Sequence, residues 1–106
     1  MITVKIFKRG DLFVGFSVSD HSDYAQEGAD IVCAAVSSSV QFAANGVTEV
    51  ARADADITVN EENAEITLKT DCESEAVQAI LGAFALHMEI MSGDYKENIK
   101  FCILEV

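Results

Sequence analysis

The sequence predicts an α/β fold in which two helices pack against a mixed, mostly antiparallel sheet of five strands. The strand-like segments alternate apolar and polar residues, two longer segments repeat apolar residues at helical spacing, and together they follow the order ββαββαβ. Each helix needs a cover for its apolar face, and one sheet can cover both helices. A chain of 106 residues, half of them hydrophobic, is expected to form a single domain over residues 1–106.

The first three elements are a hairpin and a helix. Residues 2–7 and residues 12–19 alternate apolar and polar side chains around a short turn, which is typical of a β-hairpin. Residues 31–45 then carry apolar side chains at helical spacing. Asp30 stands where a helix N-cap is expected, and Gly46 stands where a C-terminal glycine is expected.

The second half repeats this pattern and adds a strand. Residues 55–70 predict a second hairpin around a polar turn, and residues 73–92 predict a second helix capped by Thr70 or Asp71. Residues 98–106 form the last predicted strand. The hairpins require antiparallel pairs, whereas the long helical connections allow parallel pairs, so a mixed sheet is expected.

Composition narrows the classes of function. The net charge of −11 argues against direct binding of nucleic acid and favours cationic partners, although plain solubility explains the charge equally well. The three cysteines, Cys33, Cys72 and Cys102, lie far apart without metal-ligand spacing, so we expect reduced thiols and neither a metal nor another cofactor. The sequence shows no long apolar run and no signal peptide, so we expect no membrane association and a cytoplasmic location.

Two residues at the edges of one polar segment are candidates for nucleophilic catalysis. With Asp30 as N-cap, Cys33 occupies the third position of the helix, where unpaired N–H groups and the helix dipole stabilise a thiolate. His21 lies twelve residues earlier and could take the thiol proton if the intervening loop returns to its start. Ser37 shares the Cys33 side of the helix. Core packing of the cysteine and a solvated histidine are the alternative interpretations.

Nearby acids act on the same two residues. Asp20, Asp23, Glu27 and Asp30 place negative charge close to Cys33, which opposes the helix dipole and raises the thiol pKa. The same charge favours a protonated imidazole. The sequence leaves open which effect dominates.

The run DHSDYAQEGADIVCAAVSSSV, residues 20–40, resembles the motif of the ribosomal-processing cysteine protease family Prp, also called YsxB. That motif is Gly-His, a loop with Tyr-Ala and Gly, and then Asp-Ile-Val-Cys-Ala-Ala-Val-Ser. His21 takes the histidine position and Cys33 the cysteine position. The other matching residues are Tyr24, Ala25, Gly28, Asp30, Ala34, Ala35, Val36 and Ser37.

The resemblance implies a homodimeric α/β cysteine endopeptidase with a Cys–His dyad. Its expected substrate is a large-subunit ribosomal protein precursor, from which it removes a short N-terminal extension. Cys33 would be the nucleophile and His21 the general base and acid, with Asp30 and Ser37 in supporting roles. A basic ribosomal protein suits an acidic chain.

The chain departs from the family motif at one position. Asp20 stands where the family has the glycine that precedes the histidine. A side chain there restricts the backbone, and its carboxylate places a negative charge beside His21. The alternative function is therefore a non-catalytic, ribosome-associated binding module that keeps the fold.

Overall fold

A computed structural model describes residues 1–20 and 29–106 of the chain. Within these residues the order of strands and long helices is ββαββαβ, which confirms the predicted fold class. A π-helical turn extends the first helix. The elements in chain order are β1 (Ile2–Arg9), β2 (Leu12–Asp20), α1 (Ala29–Asn45), the π-helical turn (Gly46–Val50), β3 (Asp56–Asn60), β4 (Glu65–Lys69), α2 (Glu75–Asp94) and β5 (Ile99–Glu105).

The five strands form one mixed sheet in the order β3-β4-β2-β1-β5. Three neighbouring pairs are antiparallel, and β1 pairs with β5 in parallel. The parallel pair arises because α2 carries the chain from β4 across the sheet to the opposite edge, the kind of crossover that parallel strands require. The sheet is therefore mostly antiparallel, as the sequence predicts.

The core lies between one face of the sheet and the two helices. Alternate residues of β1 and β2 point to this face, while α1 and α2 each bury one stripe against it. Phe16 and Phe84 join the two layers with ring centroids 4.5 Å apart. The fully buried side chains with the largest volumes are Phe16, Ile6, Leu68, Leu81, Met88, Val4, Val47 and Val77.

The limits of α1 differ from those expected. The helix begins at Ala29, so Asp30 lies inside its first turn and is not the residue that precedes the helix. At the other end, Gly46 does not terminate the helix, because the chain continues directly into the π-helical turn. A Cβ on Gly46 would lie 3.2 Å from the Ile80 side chain. The glycine therefore serves close packing between the helical segment and α2.

The N-cap of α2 also differs from the predicted one. Ser74, and not Thr70 or Asp71, caps the helix by accepting a hydrogen bond from the Val77 N–H. Thr70 is buried and instead donates its hydroxyl to the Asp54 carbonyl at 2.7 Å. It thereby ties the end of β4 to the segment that precedes β3.

Both helical segments, Ala29–Val50 and Glu75–Asp94, are long and apolar enough by length and composition to cross a membrane. Each packs one face against the sheet, and core helices of soluble proteins pass the same test. Length and composition alone therefore do not indicate a membrane span.

Gly15 marks a β-bulge that only glycine accommodates. Its φ is +151°, and the register of β1 with β2 shifts beside it, between Phe7 and Lys8. A Cβ on Gly15 would overlap the backbone carbonyl of Leu68 on β4. The close pairing of β2 with β4 therefore depends on the missing side chain.

We expect Gly15→Ala to lower the free energy of unfolding by at least about 2 kcal/mol, because the new methyl group meets backbone that cannot move aside cheaply. Urea denaturation measures the change. Gly93→Ala is the matched control, since a Cβ there meets nothing within 4 Å. A Gly15→Ala variant as stable as the original chain would contradict this account of the bulge.

Candidate active site

Cys33 is the fifth residue of α1 and is half-buried at the edge of the core. The helix is placed by a stripe of buried valines, of which Val32 and Val36 flank the cysteine one turn apart. Because Cys33 follows Val32 directly, it lies beside this stripe. The thiol therefore faces the end of β2 without entering the centre of the core.

The Cys33 thiol donates a hydrogen bond to the carboxylate of Asp20, with Sγ 3.0 Å from Oδ2. Asp20 is the last residue of β2 and pairs with Ile2 of β1, so the strand register sets its position. Phe16 and Val18 of the same strand face the helices, and strand alternation places Asp20 on that face too.

This contact raises the pKa of Cys33 from 9.0 to about 11. The largest cause is the hydrogen bond from the thiol to Asp20, followed by desolvation and by the negative charge of Asp20. The α-amino group of Met1 acts in the opposite direction, and Asp30 adds a smaller increase. Of the two opposing influences that the sequence left open, the one that raises the thiol pKa dominates, and Cys33 is a neutral thiol near pH 7.

A cavity of about 200 Å³ opens beside the thiol. Asp20 and Cys33 line one side of it, and Ser37 and Gln41 follow along α1. Asp20 is the one charged residue among the described residues of the lining. The remainder of the lining is apolar or neutral and comprises Ile2, Val18, Ser19, Val36, Val40, Ala64 and Ile66. A space of this size suits a single side chain or a short stretch of extended backbone.

The structure brings together part of the predicted site. Cys33 and Ser37 share the cavity, as expected from their spacing of one helical turn. Asp30 is exposed in the first turn of α1 and is not part of the lining. His21 lies outside the described residues, so its predicted role remains a prediction. The other matched loop positions, Tyr24, Ala25 and Gly28, and the acids Asp23 and Glu27 lie outside them as well.

The negative charge of Asp20 near Cys33 was expected from the sequence, but the direct hydrogen bond between the two side chains was not. A signal for it is present in the alternation of β2. Counting in steps of two from Phe16 through Val18 leads to Asp20, so its side chain belongs to the face that α1 covers.

The other two thiols lie in different surroundings. Cys72 has its Sγ 3.4 Å from the Ser74 hydroxyl, and hydrogen bonds with Ser74 lower the pKa of this thiol. Cys102 lies on β5 and, like Cys72, is reduced and half-buried. Across residues 1–20 and 29–106, no group of three or more His, Cys, Asp or Glu side chains is arranged to hold a metal ion.

A sequence profile described as "Cysteine protease Prp" matches residues 1–100. The chain belongs to the Prp family. Two solved structures of a Prp from S. aureus, described as an essential ribosomal processing protease, have the same fold. The complex with a substrate peptide has 23% identity and a TM-score of 0.88, covering 98% of this chain and 100% of that one. The complex with a covalently linked product peptide has 24% identity and a TM-score of 0.85, with the same coverage.

A third structure, SMU.848 from Streptococcus mutans, has 22% identity and a TM-score of 0.86, covering 100% of this chain and 99% of that chain. At these identities the structures confirm the fold of the Prp family over the length of the chain. No curated protein sequence matches the chain significantly.

We expect iodoacetamide to modify Cys72 before Cys33 near neutral pH. The reactive species is the thiolate, and the Asp20 carboxylate suppresses it at Cys33 while Ser74 favours it at Cys72. Peptide mass spectrometry at short reaction times gives the order. The Cys33 rate should keep rising until about pH 11, because deprotonation occurs only as the pH passes the raised pKa. Faster labelling of Cys33 than of Cys72 at neutral pH would contradict the described hydrogen bond.

Proposed function

We propose that the protein is a cysteine endopeptidase that removes the short N-terminal extension of a large-subunit ribosomal protein precursor. The observation that carries the proposal is the half-buried Cys33 thiol beside a cavity, in a chain of the cysteine protease Prp family. Cys72 and Cys102 do not line that cavity. The family relatives from S. aureus, described as ribosomal processing protease with bound substrate and product peptides, support the choice of substrate class.

In the proposed reaction, the Cys33 thiol loses its proton to His21, and the sulfur attacks the scissile carbonyl carbon to form a tetrahedral oxyanion. His21 then gives the proton to the leaving amine as the carbon–nitrogen bond breaks, which leaves a thioester on Cys33. Water, deprotonated by His21, hydrolyses that thioester. Backbone N–H groups in the first turn of α1 are the candidates to stabilise the oxyanion, because they lack partners within the helix.

Charge supports a basic substrate. The chain carries 18 acidic residues against 7 basic ones. Such an excess of negative charge attracts a cationic partner and increases the rate of encounter at low ionic strength. Asp20 supplies the charge in the described part of the cavity lining, so the attraction extends to the thiol itself.

One observation favours the alternative, a non-catalytic binding module of the same fold. The thiol pKa of about 11 leaves little thiolate near neutral pH, and the residue responsible, Asp20, is the departure from the family motif. Incubation with an extended ribosomal protein precursor distinguishes the two functions. A shortened product indicates the enzyme, and a stable complex with intact precursor indicates the binding module.

We expect Cys33→Ala to reduce cleavage of the extended precursor by at least about 10³-fold, because no other group replaces the nucleophile. His21→Ala should reduce it by roughly 10²-fold or more through loss of proton transfer. Gel electrophoresis and mass spectrometry of the products measure both effects. Cys102→Ala is the matched control and should retain activity. Undiminished cleavage by Cys33→Ala would exclude this residue as the nucleophile.

We also propose that the protein forms a homodimer through the groove between α1 and α2 on the side away from the sheet. The residues that line this outer helix groove are Ser38, Ser39, Phe42, Ala79, Ile80, Ala83, Phe84 and His87. Phe42 is 82% exposed, and no Asp, Glu, Lys or Arg stands among the described residues of the lining. A second copy of an acidic chain could therefore approach here without facing like charges, and the small side chains would allow close helix packing.

We expect Phe42→Asp to convert a dimer into a monomer, because it places a charge in the lining of the outer helix groove. Sedimentation equilibrium measures the change. Val59→Asp is the control, since Val59 is also exposed but lies on β3, away from the groove. An original chain that is monomeric at every soluble concentration would contradict the dimer.

A further inference from the structure

We propose that Asp20 is a positioning and specificity-determining residue, which holds Cys33 as a neutral thiol in the resting protein and releases it when a cationic group of the substrate pairs with its carboxylate. This proposal rests on the proposed function, because it assumes that a substrate occupies the cavity beside Cys33. It adds to that function a chemical requirement on the substrate, namely a positive charge close to the bond that is cleaved.

The first observation is the hydrogen bond itself. Asp20 Oδ2 lies 3.0 Å from Cys33 Sγ, and the strand pairing of Asp20 with Ile2 holds the residue in place. A carboxylate is a far weaker base than a thiolate, so Asp20 accepts the hydrogen bond without taking the proton. The contact thus stabilises the unreactive form of the nucleophile. The raised pKa of Cys33 agrees with this geometry.

The second observation is the charge of the cavity. Of the described residues that line it, Asp20 alone carries a charge, and the others are apolar or neutral. A cationic side chain that enters this space therefore finds the Asp20 carboxylate as the one charged group among the described residues of the lining. The partly desolvated position strengthens the ion pair relative to one in open solvent.

Release exchanges one interaction for another and involves no covalent step. The hydrogen bond between the Cys33 thiol and Asp20 is replaced by an ion pair between Asp20 and the substrate cation. Once the carboxylate is neutralised, its charge no longer opposes ionisation of the thiol. The remaining charges that act on Cys33 among the described residues are the α-amino group of Met1, on the side of β1, and Asp30 on α1.

The first test measures how far Asp20 raises the pKa of the Cys33 thiol and lowers its reactivity. In a Cys72→Ala/Cys102→Ala background, Cys33 is the single thiol, and its thiolate absorbance and iodoacetamide rate can be followed with pH. We expect a midpoint near pH 11. Asp20→Asn should move the midpoint toward the ordinary value and raise the rate near neutral pH by about tenfold, since the gain in thiolate is partly offset by lower nucleophilicity.

Asp30→Asn is the matched control for this test. It removes the same charge from the first turn of α1 but no hydrogen bond to the thiol, and should change the rate by less than about twofold. A midpoint near pH 9 in the chain with Asp20 intact would overturn the proposal, and this measurement needs no folded Asp20 variant. Equal rates of Cys33 alkylation, at every pH, in the single-thiol chain and in its Asp20→Asn variant would overturn the proposal as well.

The second test asks whether a cationic group beside Asp20 makes the Cys33 thiol more reactive. The same single-thiol chain is treated with the cationic reagent aminoethyl methanethiosulfonate and with the neutral reagent methyl methanethiosulfonate. The measured quantity is the ratio of the Cys33 reaction rate with the cationic reagent to that with the neutral reagent. With Asp20 present, this ratio should exceed the same ratio for a free thiol in solution by at least about fivefold. In the Asp20→Asn variant the two ratios should be equal. No charge preference in either chain would overturn the cation requirement.

Cleavage assays on the same variants separate this proposal from the proposed function. If Asp20→Asn changes the Cys33 pKa and alkylation rate as expected, but the protein never cleaves the precursor, the effect of Asp20 on the thiol is supported and the protease function is contradicted. Cleavage that requires Cys33, in a chain whose thiol ignores Asp20→Asn, supports the protease and overturns the role of Asp20.

Discussion

The packing of α1 on the end of the β1–β2 hairpin is the constraint on which the candidate site depends. Val32, Val36 and Val40 anchor one side of the helix against the sheet. Their spacing leaves Cys33 and Ser37 beside the buried stripe, directly over the end of β2. The register of β2 with β1 then determines that Asp20 meets the thiol. Core packing therefore fixes the distance between the Cys33 thiol and the Asp20 carboxylate.

The position of Asp20 gives its departure from the family motif a specific meaning. Within the described residues, the non-glycine positions with positive φ are Arg52 and Ala64, so Asp20 has no backbone conformation that calls for glycine. It continues β2 as an ordinary strand residue. The described contact of its side chain is the hydrogen bond with Cys33, which raises the pKa of the thiol. A glycine at this position would leave the thiol without that hydrogen bond.

The fold was predictable because its elements carry strong periodic signals. Alternation in β1, β2 and β4, helical spacing in α1 and α2, and their order led to the correct class and the mixed sheet. The caps were less predictable. Ser74, and not Asp71, caps α2, since the competition among neighbouring polar residues is decided by tertiary contacts such as the bond from Thr70 to Asp54.

Of the candidate site, the sequence predicted that Cys33 and Ser37 lie together but did not predict the electrostatics. Helical spacing places Cys33 and Ser37 together, and the family motif marks the cysteine. The sequence left open the sign of the shift in the Cys33 pKa, and the structure shows a raised pKa whose largest cause is the hydrogen bond to Asp20 at 3.0 Å. That contact joins residues thirteen apart in sequence, and only strand register and helix packing bring them together.

The central claim is that Cys33 forms the covalent intermediate of peptide cleavage. The most direct measurement is rapid acid quenching of the protein during turnover of an extended ribosomal protein precursor, followed by mass spectrometry of its proteolytic peptides. The account predicts a transient thioester, bearing the removed extension, on the peptide that contains Cys33. Turnover with no adduct at Cys33, or with the adduct on Cys72 or Cys102, would contradict it.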